Sequence, residues 1–233
     1  MKKYKLLFIV LLISNLSFAQ KKSKKDYLIT LKTNFGTMHL VLFDDTPLHK
    51  ANFIKLVNQK FYDSLMFHRI IDGFMIQGGD PTSKNAKPNE RLGGGGGDLE
   101  RIPFEFKPNH VHKKGALAAA RDGNPEKKSS ACQFYIVQGK KLTDEEITAV
   151  AQRNSMNYTT QQRAEYMILG GTPRLDNAYT VFGEIIDNLD LIDTIAKQPR
   201  DSADRPKVDI KMSMTVKKMR KKKITKKYNY KYL

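Results

Sequence analysis

The segment 67–80, FHRIIDGFMIQGGD, is the part of the chain whose residue types could do chemistry together. Arg69 stands among apolar residues, five positions before Phe74 and six before Met75, and Gln77 follows two residues after Met75. A guanidinium stays charged at any pH and holds its donors in a rigid plane, so it can stabilise a polar group without passing a proton. The segment therefore offers a fixed charge and an amide at the edge of an apolar contact area.

Two later segments add residues of the same kinds. Residues 130–137 (SACQFYIV) contribute a glutamine and two aromatic residues. Residues 175–184 (LDNAYTVFGE) contribute a leucine and a tyrosine just before a predicted strand. The three segments must be brought together by the fold if they act as one site.

Motifs of other common chemistries do not occur: there is no HExxH, no GxSxG and no P-loop. The single cysteine, Cys132, excludes an intramolecular disulfide and CxxC-type zinc sites, and we expect it to be buried. His110 and His112 could form a metal pair, but no acidic or thiol ligand lies near them in sequence, and we interpret them as solvent-exposed. Glycines 93–97 open no helix, so they predict a flexible surface loop. We expect neither a metal nor a cofactor.

Short apolar stretches bounded by Gly, Pro, Asp or Asn predict the elements that position these residues. The predicted strands cover 27–33, 37–43, 65–71, 74–77, 115–121, 132–137, 180–185 and 208–216. In the last of these, alternate residues from Val208 to Val216 are apolar and are predicted to face one way. Helices are predicted from Thr46-Pro47 and across 188–197, and a helical hairpin within 140–173. This pattern indicates a closed barrel with helices over its open ends.

The three segments resemble the cyclophilin family of peptidyl-prolyl cis–trans isomerases. The first matches the family motif FHRIIxGFMxQGGD almost completely, the second resembles its SQFF(I/Y) strand, and the third its LDGxxTVFGxV strand. The resemblance runs from about Asp26 to Val216 in matching order. It implies a mainly β fold, a closed eight-stranded antiparallel barrel capped by two helices, in which 140–173 is an inserted helical hairpin.

The resemblance also implies roles for eleven residues. Arg69 matches the catalytic arginine, and we expect Gln77 to orient Arg69 or the substrate amide. The residues expected to bind the proline and its peptide chain are His68, Phe74, Met75, Ala120, Arg121, Gln133, Tyr135, Leu175 and Tyr179. Arg174 stands where many eukaryotic members have a tryptophan, and Tyr179 stands in place of a histidine at the pocket rim. Both departures concern substrate preference and not the central chemistry.

The net charge of +17 is concentrated at the two ends of the chain. Residues 1–25 carry seven lysines and residues 217–233 carry nine basic residues, with no acidic residue in either segment, whereas residues 26–216 have a net charge of +1. A basic surface over the whole fold is therefore not expected. We interpret 20–25 as a basic linker and 217–233 as a basic, disordered tail.

The first nineteen residues predict a secretory signal peptide. Three lysines precede the apolar run Leu6–Ile13, and small residues stand before a cleavage point at Gln20. The alternative is a membrane anchor, for which the run is much shorter than the ~20 apolar residues needed. We expect an exported protein, periplasmic or secreted, with no membrane span.

These observations predict that residues 26–216 form a monomeric peptidyl-prolyl isomerase that speeds X–Pro rotation in exported polypeptides. The alternative is a module that binds proline peptides with little turnover. The basic tail could contact anionic surfaces. Its tyrosines, Tyr228, Tyr230 and Tyr232, could stack on nucleic-acid bases, although we favour a solvated tail over nucleic-acid binding.

Overall fold

The computed structural model describes residues 23–232, so the predicted signal peptide lies outside the described residues. The strands are β1 (Lys25–Thr33), β2 (Gly36–Leu42), β3 (Phe67–Ile71), β4 (Met75–Gly78), β5 (Ala116–Ala119), β6 (Phe134–Val137), β7 (Val181–Ile185) and β8 (Met212–Arg220). The helices are α1 (Pro47–Asn58), α2 (Asp144–Asn154), α3 (Thr160–Ile168), α4 (Asp190–Ala196) and α5 (Lys221–Tyr228). No helix of this part of the chain is both long and apolar enough to span a membrane.

All eight strands belong to one antiparallel sheet, in the order β3-β4-β6-β5-β7-β2-β1-β8. The two end strands, β3 and β8, share no ladder. They approach each other only where Met66 and Lys211 form an isolated bridge, beside which the N–H of Phe67 donates to the carbonyl of Ile210 and the N–H of Met212 to that of Leu65. The predicted closed barrel is therefore wrong, and the sheet curls into an open half-barrel. The cause lies in the loop before β8, because the backbone N–H of Ile70 donates to the carbonyl of Asp204 at 2.9 Å. That loop occupies the edge of β3 with which β8 would have to pair.

The core lies on the concave face of the sheet and under two helices. α1 buries Phe53, Leu56 and Val57, which are spaced so that they fall on one side of the helix. Sheet residues of the same cluster include Leu31, Leu40, Ile70, Ile76, Leu117, Phe134 and Ile136, and α4 adds Leu191, Ile192 and Ile195. Cys132 is buried beside this cluster, as predicted. The two covering helices are the ones that the sequence predicts.

The helical hairpin predicted within 140–173 is present as α2 and α3. Both helices begin at a threonine, Thr143 or Thr159, whose hydroxyl accepts from the backbone N–H three residues later. The side-chain oxygens of Glu146 and Gln162 accept in turn from the backbone N–H groups of Thr143 and Thr159, which completes a capping box at each helix. These local signals explain why the hairpin can be recognised in the sequence.

The predicted disordered tail is wrong for the residues that the structure describes. β8 runs to Arg220, and α5 follows it directly. The single aliphatic residue of α5, Ile224, is fully buried in a cluster with Leu28 and Val41. The last strand begins at Met212 and not at Val208 as predicted, and the Val208 side chain is 65% exposed.

Candidate active site

Strand register places the first candidate residues in a row across four neighbouring strands. Arg69 on β3 lies opposite Gln77 on β4, Gln77 lies opposite Tyr135 on β6, and Tyr135 lies opposite Ala118 on β5. Opposite residues of antiparallel strands project from the same face. The residues between them, such as Ile76, enter the main core on the other face. Period-two alternation therefore creates a continuous row on the convex side of the half-barrel.

The row forms one wall of a cavity of about 280 Å³. The lining residues are Arg69, Phe74, Met75, Gln77, Ala120, Arg121, Tyr135, Arg174, Leu175 and Tyr179. All three sequence segments contribute to this list, so the fold does bring them together. Nine of the lining residues are among the eleven predicted, and Arg174 is the addition. Gln133 lies beside the cavity, and His68 does not line it.

Arg69 is held by a carboxylate that the sequence analysis missed. Its Nε lies 3.5 Å from Oδ2 of Asp204, and the Arg69 side chain remains 40% exposed. Arg200 approaches the other carboxylate oxygen of Asp204 at 3.3 Å. Asp204 lies 135 positions after Arg69 in a loop, so no local pattern could have revealed the pair. The ion pair restricts the guanidinium while leaving it accessible at the edge of the cavity.

Gln77 makes its side-chain hydrogen bond to Gln133 and not to Arg69 within the described residues, and its other predicted role, toward the substrate amide, stays a prediction. Its amide nitrogen donates to the Gln133 side-chain oxygen at 3.1 Å. The Gln133 amide nitrogen in turn donates to the carbonyls of Gly93 and Gly95 at 3.0 and 2.9 Å. The two glutamines therefore connect the row to the glycine segment, and orientation of Arg69 falls to Asp204.

The glycine segment 93–97 is part of the site and not a detached surface loop. It lines a second cavity of about 280 Å³, which shares Gln77, Ala120 and Arg121 with the first. The fully buried Asp80 holds the segment in place by accepting from the backbone N–H of Gly93. Burial raises the pKa of Asp80, but its hydrogen bonds outweigh this effect and hold the pKa below its usual value. Gly95 must lack a side chain because a Cβ there would lie 2.1 Å from an Asp80 oxygen.

Arginines cover the aromatic parts of the rim. The Arg174 guanidinium lies 4.5 Å from the centre of the Phe74 ring, and the Arg121 guanidinium lies 4.6 Å from that of Tyr179. Both distances suit cation–π contacts. The backbone of Ala120 is already engaged, because its N–H donates to Gln133 O and its carbonyl accepts from Ser130 N. A peptide lying here would meet two cationic groups at the rim.

His68 is buried behind the site, contrary to its predicted role in substrate binding. It is 3% exposed, and neither ring nitrogen has a hydrogen-bond partner among the described residues. Burial in these surroundings lowers the pKa of His68 to about 4, and the nearby Arg69 and Arg205 act in the same direction. The imidazole is therefore neutral at physiological pH.

A buried hydrogen-bond network connects the cavity wall to the helical hairpin. The carboxylate of Asp176 accepts from the hydroxyls of Tyr158 and Tyr166 at 2.7 and 2.5 Å. It also bonds Nδ1 of His112 at 2.6 Å, and Nε2 of that ring lies 2.9 Å from the Tyr135 hydroxyl. Since Nδ1 donates to the carboxylate, Nε2 is left to accept from Tyr135. One aspartate therefore joins α3, the segment before it and the cavity wall.

This network corrects the interpretation of the histidine pair. His112 is fully buried and His110 stacks on Phe43 with ring centres 3.8 Å apart, so neither is the solvent-exposed residue predicted. Each ring has a carboxylate partner, Asp176 for His112 and Asp45 for His110. Among residues 23–232, no three His, Cys, Asp or Glu side chains are grouped to hold a metal ion.

Comparison with known proteins identifies the family. The family model described as cyclophilin type peptidyl-prolyl cis-trans isomerase/CLD matches residues 28–217. The chain belongs to the cyclophilin-type peptidyl-prolyl cis–trans isomerases. It is therefore an enzyme of the isomerase class, and the matched residues include all eleven predicted site positions.

The chain is similar to two curated cyclophilin-type relatives and to one solved structure. A Staphylococcus aureus protein named as a peptidyl-prolyl cis-trans isomerase is 33% identical over 183 residues, covering 78% of this chain and 87% of its own length. A Streptococcus pyogenes protein named as a bifunctional phosphatase/peptidyl-prolyl cis-trans isomerase is 38% identical over 185 residues, which are 78% of this chain but only 37% of that protein.

The solved structure is a cyclophilin-type isomerase of Cryptosporidium parvum with a TM-score of 0.61 and 23% identity, covering 83% of this chain and 98% of that one. This likeness supports the cyclophilin fold, with a barrel that here is only partly closed.

Proposed function

We propose that this cyclophilin accelerates cis–trans rotation of X–Pro bonds in exported polypeptides and so assists their folding. The observation that carries the proposal is the Arg69 guanidinium at the edge of a cavity whose walls include Phe74, Met75, Tyr135 and Leu175. Apolar and aromatic walls with a few fixed polar groups favour a ring such as that of proline. A crystal structure of a related cyclophilin was obtained in the presence of the dipeptide Ala-Pro.

The mechanism follows from the electronic structure of the amide. Resonance gives rotation about X–Pro a barrier of about 18–20 kcal/mol. The twisted transition state has lost this resonance, and its nitrogen has a lone pair that can accept a hydrogen bond. Arg69 donates to this lone pair and to the prolyl carbonyl, so the enzyme binds the twisted state more tightly than either planar isomer. No covalent bond forms and no proton is transferred.

The other residues position the two reacting parts. Asp204 restricts Arg69 through its Nε, so the terminal nitrogens of the guanidinium serve the substrate. Tyr135 is locked by its hydrogen bond to His112 and holds the proline ring while the preceding carbonyl turns. Burial raises the pKa of Tyr135 well above 10, which keeps its hydroxyl a donor. Preorganisation of this kind spares the enzyme the cost of arranging these groups during catalysis.

The test measures kcat/KM for isomerisation of a short proline peptide. Arg69→Ala is expected to lower kcat/KM by about 10²–10³-fold, because a donor to the transition state is lost. Arg69→Lys should keep only part of the kcat/KM of the parent protein, since lysine has the charge of arginine but not its planar donor geometry. Arg153→Ala, an exposed position on α2, is the matched control and should leave the rate unchanged.

Two outcomes would overturn the proposal. Equal rates for the parent protein and Arg69→Ala would remove Arg69 from the mechanism. A parent protein that binds the peptide without accelerating its isomerisation would favour the alternative of a binding module with little turnover.

Export is the second part of the proposal, and it is supported by the sequence of residues 1–19. The basic start, the short apolar run and the small residues before Gln20 are typical of a cleaved signal. Expression of the whole chain in a bacterial host should give a mature protein that begins at Gln20 outside the cytoplasm. Protein that keeps Met1 and stays with the cytoplasmic fraction would contradict this part alone.

A further inference from the structure

The two charged ends of the chain meet at one corner of the molecule. β1 and β8 pair over their full lengths, so Lys25 lies opposite Arg220 and Leu28 lies opposite Lys217. The backbone N–H of Lys221 donates to the carbonyl of Lys24 at 2.9 Å. Residues that lie almost 200 positions apart in the sequence are therefore neighbours. We call their exposed basic side chains, from residues 24–25, 217–220 and 222–231, the basic corner.

The basic corner is dense and unneutralised. It holds ten exposed Lys and Arg side chains, and none of them pairs with a carboxylate within the residues that the structure describes. The nearby carboxylates are occupied elsewhere, since Asp26 accepts from Lys50, and Asp44 accepts from Lys50 and Lys221. Like charges at such density repel one another and attract polyanions.

The fold holds these charges on one side. In α5, Ile224 is buried and Lys222, Lys223, Lys226 and Lys227 are exposed. Their spacing places Lys222 and Lys226 on the side of the helix opposite Ile224, and Lys223 and Lys227 on one flank beside them. Because the helix is already formed and packed, binding an anionic surface does not require the ordering of a disordered tail.

The packing of three tyrosines near α5 distinguishes between the two kinds of polyanion that the basic corner could bind. Tyr228, Tyr230 and Tyr232 pack against the cluster of Leu28 and Ile224, so their rings do not form an exposed platform. Nucleic-acid binders of this kind stack bases on exposed aromatic rings. The basic corner therefore lacks the exposed aromatic rings that would favour single-stranded nucleic acid. It keeps the dense positive charge that attracts a surface of anionic headgroups.

We propose that the basic corner docks this cyclophilin on membrane surfaces that carry anionic phospholipid headgroups, by electrostatic attraction alone. Lysines near such a surface contribute additively, and their effect is lost beyond a Debye length of about 8–10 Å. In the sheet, β7 and β2 lie between the strands of the candidate active site and β1. β8 approaches the β3 side only at its start, near Met212, whereas its basic residues 217–220 lie at its end. The docked enzyme therefore keeps its cavity open.

The test measures sedimentation of residues 20–233, which retain every element of the fold, with lipid vesicles. The protein is expected to bind vesicles of equimolar phosphatidylcholine and phosphatidylglycerol, to ignore pure phosphatidylcholine, and to be released by salt. The variant with Lys222, Lys223, Lys226 and Lys227 changed to Gln should bind at least about tenfold more weakly. A control of equal net charge, with Lys55, Lys141, Lys197 and Lys207 changed to Gln, should bind like the parent. Thermal unfolding verifies that both variants fold.

Several results would overturn the proposal. These are equal binding to neutral and anionic vesicles, equal binding by the α5 variant and the parent, or tighter binding to DNA than to vesicles at matched phosphate concentration and salt. A further measurement tests whether the cavity stays accessible when the protein is docked. The kcat/KM for isomerisation of a proline peptide is expected to be the same for vesicle-bound and free protein. This arm rests on the proposed function, whereas the sedimentation arms do not, so failures of the two are distinguishable.

Discussion

In the half of the sheet formed by β3, β4, β6 and β5, the charged groups are few and each has a defined partner, whereas the half formed by β2, β1 and β8 with α5 carries many unpaired charges. Arg69 is held by Asp204, and Asp176 is enclosed by three side chains. The lysines of α5 point to solvent, apart from Lys221 beside Asp44. Both halves share one core.

The difference separates two ways in which a surface acts. A site that must recognise one twisted bond needs groups fixed to fractions of an ångström, and buried hydrogen bonds supply that precision. A surface that attracts a layer of anions needs only many charges of one sign. Single substitutions should therefore have large effects in the first half and small, additive effects in the second.

The largest expected effect on stability is that of Asp176→Ala. This change leaves the hydroxyls of Tyr158 and Tyr166 and the ring of His112 without their buried acceptor, at a cost of roughly 3–5 kcal/mol in the free energy of unfolding. Denaturant unfolding measures it. KM for a proline peptide should also rise, because His112, the hydrogen-bond partner of Tyr135, is no longer held by a carboxylate. Asp176→Asn keeps one acceptor oxygen and should lose less. A loss below about 1 kcal/mol for the alanine variant would show that the network is not a support of the cavity.

The same contrast explains what the sequence could predict. Arg69, Phe74, Met75 and Gln77 could be recognised because they lie within one hairpin, whose spacing fixes their relative positions. Asp204 could not be, since its contact depends on a loop that approaches β3 from far along the chain. Local patterns report neighbours in sequence, and the supporting residues of the site are neighbours only in space.

Two fold predictions failed for related reasons. The alternation of apolar and polar residues in 208–216 predicts that Val208 faces inward, but Val208 is exposed. A local pattern cannot show that the carbonyl of Asp204 accepts from the N–H of Ile70, a contact that keeps the half-barrel open. The composition of 217–233 indicates disorder, yet Ile224 and three tyrosines find a cluster on the sheet. Burial of four side chains is enough to order a short basic helix that has little tendency to fold alone.

The next largest effect is the dependence of stability on pH. The pKa of His68 is about 4 in the folded protein and 6.5 in the unfolded chain. Between these values the unfolded chain binds more protons, so stability is complete above pH 6.5 and falls by up to about 3 kcal/mol as the pH approaches 4. Burial lowers the pKa of His49 as well and acts in the same direction.

The measurement is denaturant unfolding at a series of pH values between 4 and 7. His68→Gln should reduce the slope and leave the part that is due to His49. If the slope is the same in the parent and in His68→Gln, then the buried imidazole is not the source of the pH dependence.

A smaller effect is expected for Asp204→Asn. The amide keeps the shape of the side chain but removes the charge beside Arg69, so the guanidinium is held less firmly. We expect kcat/KM to fall by about tenfold, mainly through kcat, with little change in unfolding because the pair is partly exposed. Arg200→Gln removes the neighbour that also contacts Asp204 and serves as the control, with a smaller loss. A fall in stability equal to that of Asp176→Ala would show that Asp204 supports the fold and does not position Arg69.

The smallest effect is expected for Asp44→Ala, the counterpart in the basic half of the aspartate buried behind the cavity. Asp44 is 61% exposed and pairs with Lys50 at 2.6 Å and Lys221 at 3.0 Å. Exposed ion pairs contribute about 0–1 kcal/mol, so the loss of unfolding free energy should stay below about 1 kcal/mol and shrink further in salt. Removing this carboxylate also raises the positive charge next to α5, so binding to anionic vesicles should strengthen slightly while isomerisation is unchanged. A loss comparable to that of Asp176→Ala would break the comparison, because the basic half would then depend on single fixed contacts in the same way as the cavity.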